Sequence, residues 1–139
     1  MNNPVEQMFA RIAQRDLDGA VEFVTEDAVF EAQGPDDVPI YGRFTGKAGA
    51  RRFLSIARDT FDTEAFEFRK YAFADDYIFA HGHMQHRVRK TDKVFRSEWA
   101  LVCQVRAGRI HHYRMFEDTA ALQTAYQSEA SSFLRVIQK

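Results

Sequence analysis

His81-Gly82-His83-Met84-Gln85-His86 puts three imidazoles into six residues, the chain's densest run of groups that titrate near neutral pH. Neighbouring residues of a strand point to opposite faces. His81 and His83 therefore share a face with Phe79 and Gln85, while His86 falls with Ile78, Ala80 and Met84. A His-x-His pair on a strand can chelate a metal, but it needs a third ligand and a supporting shell, and no carboxylate motif accompanies this one. No metal or other cofactor is expected. A pocket imidazole acting as base or donor fits better, and His83, deeper along the strand than His81, is the candidate. A surface or interface histidine pair is the competing reading. The second candidate is Asp118. Period two puts Ile110, His112, Arg114, Phe116 and Asp118 on one strand face. With Phe116 packed inward, Asp118 looks into a pocket beside Arg114. A carboxylate half-buried among aromatics has a raised pKa and can take a proton from a carbon next to a carbonyl. Arg114 opposes that shift and could instead bind an enolate or carboxylate. Asp118 also precedes Thr119-Ala120-Ala121-Leu122, where it would cap a helix; one residue can do both.

The wall of such a pocket can be read from the apolar residues. Trp99 and Leu101 share parity on their strand, and Tyr41 sits just before Gly42, where its phenol could donate to a substrate oxygen or simply pack. Phe30 and Phe53 are expected to add to the lining. Glu98 and Glu117 have the opposite parity to Trp99 and Asp118 and are expected outside, in surface ion pairs. Arg87-Val88-Arg89-Lys90 lacks interleaved aromatics and reads as a solvated hairpin end.

These residues need elements to hold them. Val5, Met8, Phe9, Ile12 and Ala13 form one apolar helical face, with Pro4 in the first turn and Asp16-Leu17-Asp18-Gly19 as the break. A short helix over 18–24 follows, then a strand over 28–33, a turn at Gly34-Pro35-Asp36-Asp37, and a strand at Ile40 to Phe44. Thr45 is expected to cap a helix over 46–60 with Ala50, Phe53, Leu54 and Ala57 inward. Strands are expected over 65–74, 77–90, 94–106 and 110–116, and a last helix over 119–137 with Leu122, Ala125, Tyr126 and Phe133 on its apolar side. Helices first and meandering strands after give an α+β fold class: a cone in which helices cover the concave face of a curved, mostly antiparallel sheet. Apolar residues on both faces of the strand from Tyr77 call for a second subunit over the outer face, a symmetric homodimer.

At 139 residues the chain fits one domain, 1–139. Thirteen Phe, five Tyr and one Trp suit a hollow interior. The net charge of -1 and the absence of a basic face speak against nucleic acid. No run approaches the roughly 18 apolar residues of a membrane span. The single Cys103 sits among Ala100, Leu101 and Val102 and reads as a core hydrophobe in a reducing, cytoplasmic setting.

The chain resembles the nuclear transport factor 2-like (NTF2-like) superfamily, within it the ketosteroid isomerase and SnoaL-like polyketide cyclase branch. The resemblance rests on Asp16-Leu17-Asp18-Gly19, Glu26-Asp27-Ala28, Gly42-x3-Gly46, Trp99-Ala100, Val105 to Ile110 and Arg114 to Thr119 in that order. It implies the cone, a hydrophobic pocket for a small apolar or carbonyl-containing ligand, a dimer, and an acid near the end of the last strand, for which Asp118 is the match. It places Met8, Ala32 and Leu101 where ketosteroid isomerases carry their Tyr and two Asp. None of these can move a proton, so steroid isomerase chemistry is not expected, while Leu101 inherits an inward position. The expected function is proton transfer on a carbonyl or polyketide-like substrate through Asp118; the alternative is a non-catalytic binding or accessory protein of the same fold.

Overall fold

The computed structural model describes residues 3–128. The Asn3 side chain accepts from the Glu6 N–H at 2.9 Å and starts α1 (Pro4–Ala13), with Pro4 in its first turn. Val5 and Met8 on its inner face are fully buried. The Asp-Leu-Asp-Gly break has a specific basis. Asp16 accepts from the Gly19 N–H at 2.9 Å and so caps α2 (Leu17–Ala20). A Cβ on Gly19 would stand 2.1 Å from that carboxylate, so the capping geometry requires glycine.

A 3₁₀ turn at Val21–Phe23 leads into β1 (Val24–Ala32), β2 (Gly42–Thr45), α3 (Gly46–Thr60), β3 (Phe61–Ala74), β4 (Tyr77–Val88), β5 (Lys93–Arg106), β6 (Arg109–Glu117) and α4 (Thr119–Tyr126). The element order is the expected one. Two strands start four residues earlier than residue patterning suggests, and β2 starts at Gly42 where Ile40 was expected, because Ile40 and Tyr41 belong to the preceding loop. β1 begins at Val24, and β3 begins at Phe61 because the last turn of α3 runs straight into it. Thr45 occupies the N-cap position of α3, yet its side chain makes no capping hydrogen bond; the chain turns there through Gly46 at φ 78°. The described part of the last helix is Thr119–Tyr126, and the expected continuation to Ile137, including Phe133, lies outside the described residues.

The strands form one curved, unclosed sheet in the order β2-β1-β6-β5-β4-β3. β1 runs parallel to β6, and every other pairing is antiparallel. α3 packs on β1, and α1 packs on α2 and touches β6. On β4 the residues Ile78, Ala80, Gly82, Met84, His86 and Val88 are all buried, and on β5 so are Phe95, Ser97, Trp99, Leu101 and Cys103. These even and odd series are cross-strand partners and make up the concave face.

Bulges decide which residues join that face elsewhere. In β3 the pairing with β4 skips Glu64 and Arg69, so Phe61 and Thr63, then Phe66 and Phe68, then Tyr71 all face inward. In β6 the pairing passes from Val105–Ile110 to Gln104–His112, leaving His111 over. Parity counted from Ile110 therefore reverses past His111. Tyr113, Met115 and Glu117 point inward, whereas His112, Arg114, Phe116 and Asp118 point outward. This corrects the face expected for His112, Arg114, Phe116, Asp118 and Glu117.

Gly82 sits where the concave layer is tightest. A Cβ there would fall 1.8 Å from the Glu67 carbonyl oxygen and 2.4 Å from the Trp99 ring. Gly82→Ala is expected to lower stability by about 2 kcal/mol or more, read as a lower urea midpoint at unchanged slope.

Candidate functional site

Between the helices and the concave face lies a cavity of about 1410 Å³. Its wall is aromatic. Phe9 from α1 stacks on Phe66 at 5.1 Å, and Phe66 stacks on Trp99 at 5.0 Å. Phe68 meets Trp99 edge-on at 4.9 Å, while Phe53 from α3 stands edge-on to Tyr113 at 5.7 Å. The exposed lining residues Ala10 and Ala13 of α1 and Arg58, Asp59 and Asp62 around the α3–β3 junction place the opening between those two elements.

The lining residues Arg15, Arg58, Asp59, Asp62 and Arg89 are exposed at the rim, and the polar groups of the interior are fewer. The foremost is Glu117, at the inward end of β6. Burial pushes its carboxyl up to about 7; Asp118 next to it adds to the rise, and a hydrogen bond from Tyr41 acts against it. Tyr41 Oη donates to Glu117 Oε2 at 2.9 Å across 76 residues of sequence. Burial, then the charge of Glu117, hold the Tyr41 phenol protonated far above its ordinary range. Tyr41 arrives on the loop after β1, which is anchored by the buried Val38 and Ile40 and tied to α4 by Gln123 Nε2 donating to Asp37 Oδ1 at 3.0 Å. Its ring lies against Gly34, where a Cβ would approach to 2.5 Å.

The second polar group is His86, 7% exposed. It stacks on Phe61 at 4.4 Å, and its Nδ1 lies 2.9 Å from Thr63 Oγ1. Burial lowers its pKa to about 4, so the ring is neutral at physiological pH. Tyr71 also lines the cavity, with its hydroxyl buried and unpartnered among the described residues.

The expected site residues divide by face. Phe53 lines the cavity; Trp99, Leu101 and Phe30 form the layer directly behind the lining, with Phe30 stacked on Tyr113 at 4.5 Å. Tyr41 reaches the cavity through Glu117. Asp118 and His83 do not reach it. They lie together on the convex side, along a shallow groove with Arg96 and Glu98 that also reaches the buried Ser97. Asp118 is an exposed cap: its Oδ1 accepts from the Ala121 N–H at 3.0 Å and its own N–H donates to Ser97 Oγ. Arg114 and Phe116 are convex-face neighbours too, with the guanidinium 5.3 Å from the ring and 3.7 Å from Glu31. His81 faces outward as well, 3.7 Å from Glu98.

Parity had set Glu117 outside, and the residues carry a signal of the error. Ile110 and Tyr113 are both apolar yet three apart, a spacing that strict alternation cannot put on one face and an inserted residue can. His86 had been set with the apolar series Ile78, Ala80 and Met84, which is the inward series.

Comparison with known proteins agrees with this architecture. The profile of the SnoaL-like domain matches residues 5–113. No curated protein matches the chain. Among solved structures, an NTF2-like protein from Burkholderia xenovorans LB400 superposes with a TM-score of 0.81 at 23% identity, covering 89% of this chain and 93% of its own. TerC, co-crystallised with polyporic acid, gives 0.77 at 16% identity over 90% and 96%. A protein of ketosteroid isomerase-like fold from Catenulispora acidiphila DSM 44928, in complex with trimethylamine, gives 0.74 at 11% over 91% and 94%. At these identities the likeness is one of fold. No described helix is long and apolar enough to cross a membrane.

A carboxyl held near 7 against an ordinary value of 4.5 binds its proton more tightly folded than unfolded, so its contribution to stability falls as pH rises from about 4.5 through 7. Glu117→Gln should remove up to about 3 kcal/mol of that pH dependence. Urea unfolding at pH 5 and pH 8 checks it, the variant gaining on the wild type at the higher pH.

Proposed function

The chain belongs to the SnoaL-like domain family, and from that membership and the buried Glu117 we propose a cofactor-independent enzyme of isomerase or cyclase type, acting on an apolar, carbonyl-bearing ligand in the concave cavity. The observation that supports it is a titratable carboxylate enclosed among aromatics and oriented by a phenol. In its ionised form Glu117 takes a proton from the carbon next to the ligand carbonyl, and the bonding pair moves into an enolate. The neutral acid then returns the proton. Delivered to another carbon, it completes an isomerisation; delivered to the alkoxide that forms when the enolate attacks a second carbonyl, it completes a cyclisation. A pKa near neutrality serves both directions, since an acid of that strength is neither too weak a base nor too reluctant a donor. Tyr41 keeps its proton throughout and holds the Glu117 carboxylate in one orientation. Phe9, Phe53, Phe66, Phe68 and Tyr113 exclude water and fit a flat, apolar ligand. TerC, of the same fold, was co-crystallised with polyporic acid.

A homodimer through the convex face is part of the same reading. Phe79 faces Val102 across β4 and β5, Ala100 faces Phe116 across β5 and β6, and Tyr77 stacks on Phe79 at 5.8 Å, leaving an outward apolar stripe. Phe79 and Phe116 are 38% and 41% exposed, which a twofold mate burying about 800 Å² per subunit would cover. The buried free thiol of Cys103 suits a reducing, cytoplasmic setting. Light scattering should give twice the chain mass, and Phe79→Glu should give the monomer.

Proton abstraction can be read without knowing the natural substrate. Deuterium uptake at the carbon next to the carbonyl of 2-tetralone in D₂O, followed by proton NMR, should be accelerated by the wild type with an inflection near pH 7. Glu117→Gln should lower that rate by about 10²-fold or more, while Asp118→Asn stays within about twofold of the wild type. Exchange that survives Glu117→Gln would overturn the assignment. Binding of 2-tetralone without exchange would point to the non-catalytic binding protein.

A further inference from the structure

We propose that His86 is a second polar anchor of the cavity, and that the natural ligand is an elongated apolar molecule with a neutral oxygen, hydroxyl or carbonyl, at the end remote from its reactive carbonyl. The inference deepens the reading of the cavity as a ligand site and takes Glu117 as its reactive end. Three observations carry it. His86 is more than nine-tenths buried on the cavity wall, between Phe61, Phe66 and Phe95. One ring nitrogen, Nδ1, is committed to Thr63 Oγ1, while Nε2 has no partner among the described residues. Phe61, Phe66 and Met84 line the wall around it, and the charged lining residues Asp62 and Arg89 pair with each other at 2.9 Å.

Nε2 is not among the fully enclosed unpartnered atoms of the described residues, so a group entering the cavity can reach it and satisfy its hydrogen bond. A ligand oxygen does so in either neutral tautomer. With the Thr63 hydroxyl donating to Nδ1, Nε2–H donates to a carbonyl or ether; with Nδ1–H donating to Thr63, Nε2 accepts from a hydroxyl. A neutral ring gives a carboxylate no charge to pair with, so the preferred group is uncharged.

The position of His86 sets the length of the molecule. Glu117 pairs with Trp99, Trp99 pairs with Gly82, and His86 lies four residues further along β4. At about 3.3 Å per residue and about 4.8 Å per strand, the two Cα atoms would stand roughly 16 Å apart on a flat sheet, and closer across a concave one. Both side chains rise from the same face and narrow the span between their polar atoms. Two or three fused or linked rings bridge such a span, whereas a single ring does not. Because His86 lies beside exposed Asp62 and Thr63 near the opening, the remote oxygen is the end left nearest solvent.

Calorimetric titration of the full chain with 4,4′-dihydroxybiphenyl and 4-hydroxybiphenyl tests the anchor. The wild type should bind the dihydroxy compound about tenfold more tightly. His86→Phe should shrink that preference to within about twofold and leave the affinity for 4-hydroxybiphenyl unchanged. His86→Gln, whose amide can still reach the oxygen, should keep a preference of at least about threefold, and it serves as the decisive variant if His86→Phe does not fold. A preference that persists in His86→Phe, or is absent from the wild type, overturns the proposal. The readout is binding selectivity, so it stands or falls separately from proton exchange by Glu117.

Discussion

His111 stands between two registers. Val105 faces Ile110 on one side of it and Gln104 faces His112 on the other, and the residue left over turns the remainder of β6 by one position. Everything chemical about the cavity depends on that turn. Without it, Arg114 and Asp118 would face the aromatic wall, and a guanidinium would sit beside the carboxylate meant to stay near neutrality. With it, Tyr113, Met115 and Glu117 meet Cys103, Leu101 and Trp99 across the strand pair, and the arginine is sent to the convex face beside Glu31. A bulge at the start of a strand thus separates a charge-rich surface from a cavity holding one poised acid.

The acid is tuned by opposing effects of unequal size. Removal from water is the largest and raises its pKa; the Tyr41 hydrogen bond favours the ionised form and lowers it; the adjacent Asp118 raises it again. A second carboxylate beside it would be wasteful inside the cavity, yet Asp118 acts from the other face, where solvent carries most of its charge. The same residue caps α4, and α4 holds the Tyr41 loop through Gln123 and Asp37. Capping and acid positioning are thus mechanically continuous although they lie on opposite sides of the sheet.

The fold was legible because its signals are local. The apolar face of α1, the break at Asp16 to Gly19, and the alternation of β4 and β5 each follow from a few neighbouring residues. Parity put Trp99 and Leu101 on one face with Glu98 on the other, and the family resemblance set that face inward. The site was only partly legible because it depends on counting from one residue to the next over a strand, and one unpaired residue spoils the count. His111 carries no compositional mark of its role; only the incompatible pair Ile110 and Tyr113 betrays it. His83 and His86 were separated correctly onto two faces, but the inward face is identified by Met84 and Ala80, the apolar majority, and that pointed to His86. Tyr41 was singled out by position, while its hydrogen-bond partner Glu117 was not, since the contact spans distant parts of the chain.

That distance bears on how the protein matures. Tyr41 ends the loop between β1 and β2 and Glu117 ends β6, and the two meet because β1 and β6, the first and last strands in sequence, run parallel and side by side. Pairing of β3, β4 and β5 can proceed as a meander of sequence neighbours, whereas insertion of β6 beside β1 closes the longest loop and comes at high entropic cost. During synthesis Phe9, Phe53, Phe66 and Phe68 of the wall all leave the ribosome before Glu117, the acid proposed to work beside them. A chain halted before β6 would own most of a binding surface and none of the proposed reactivity, so the topology itself delays chemistry until the polypeptide is nearly complete.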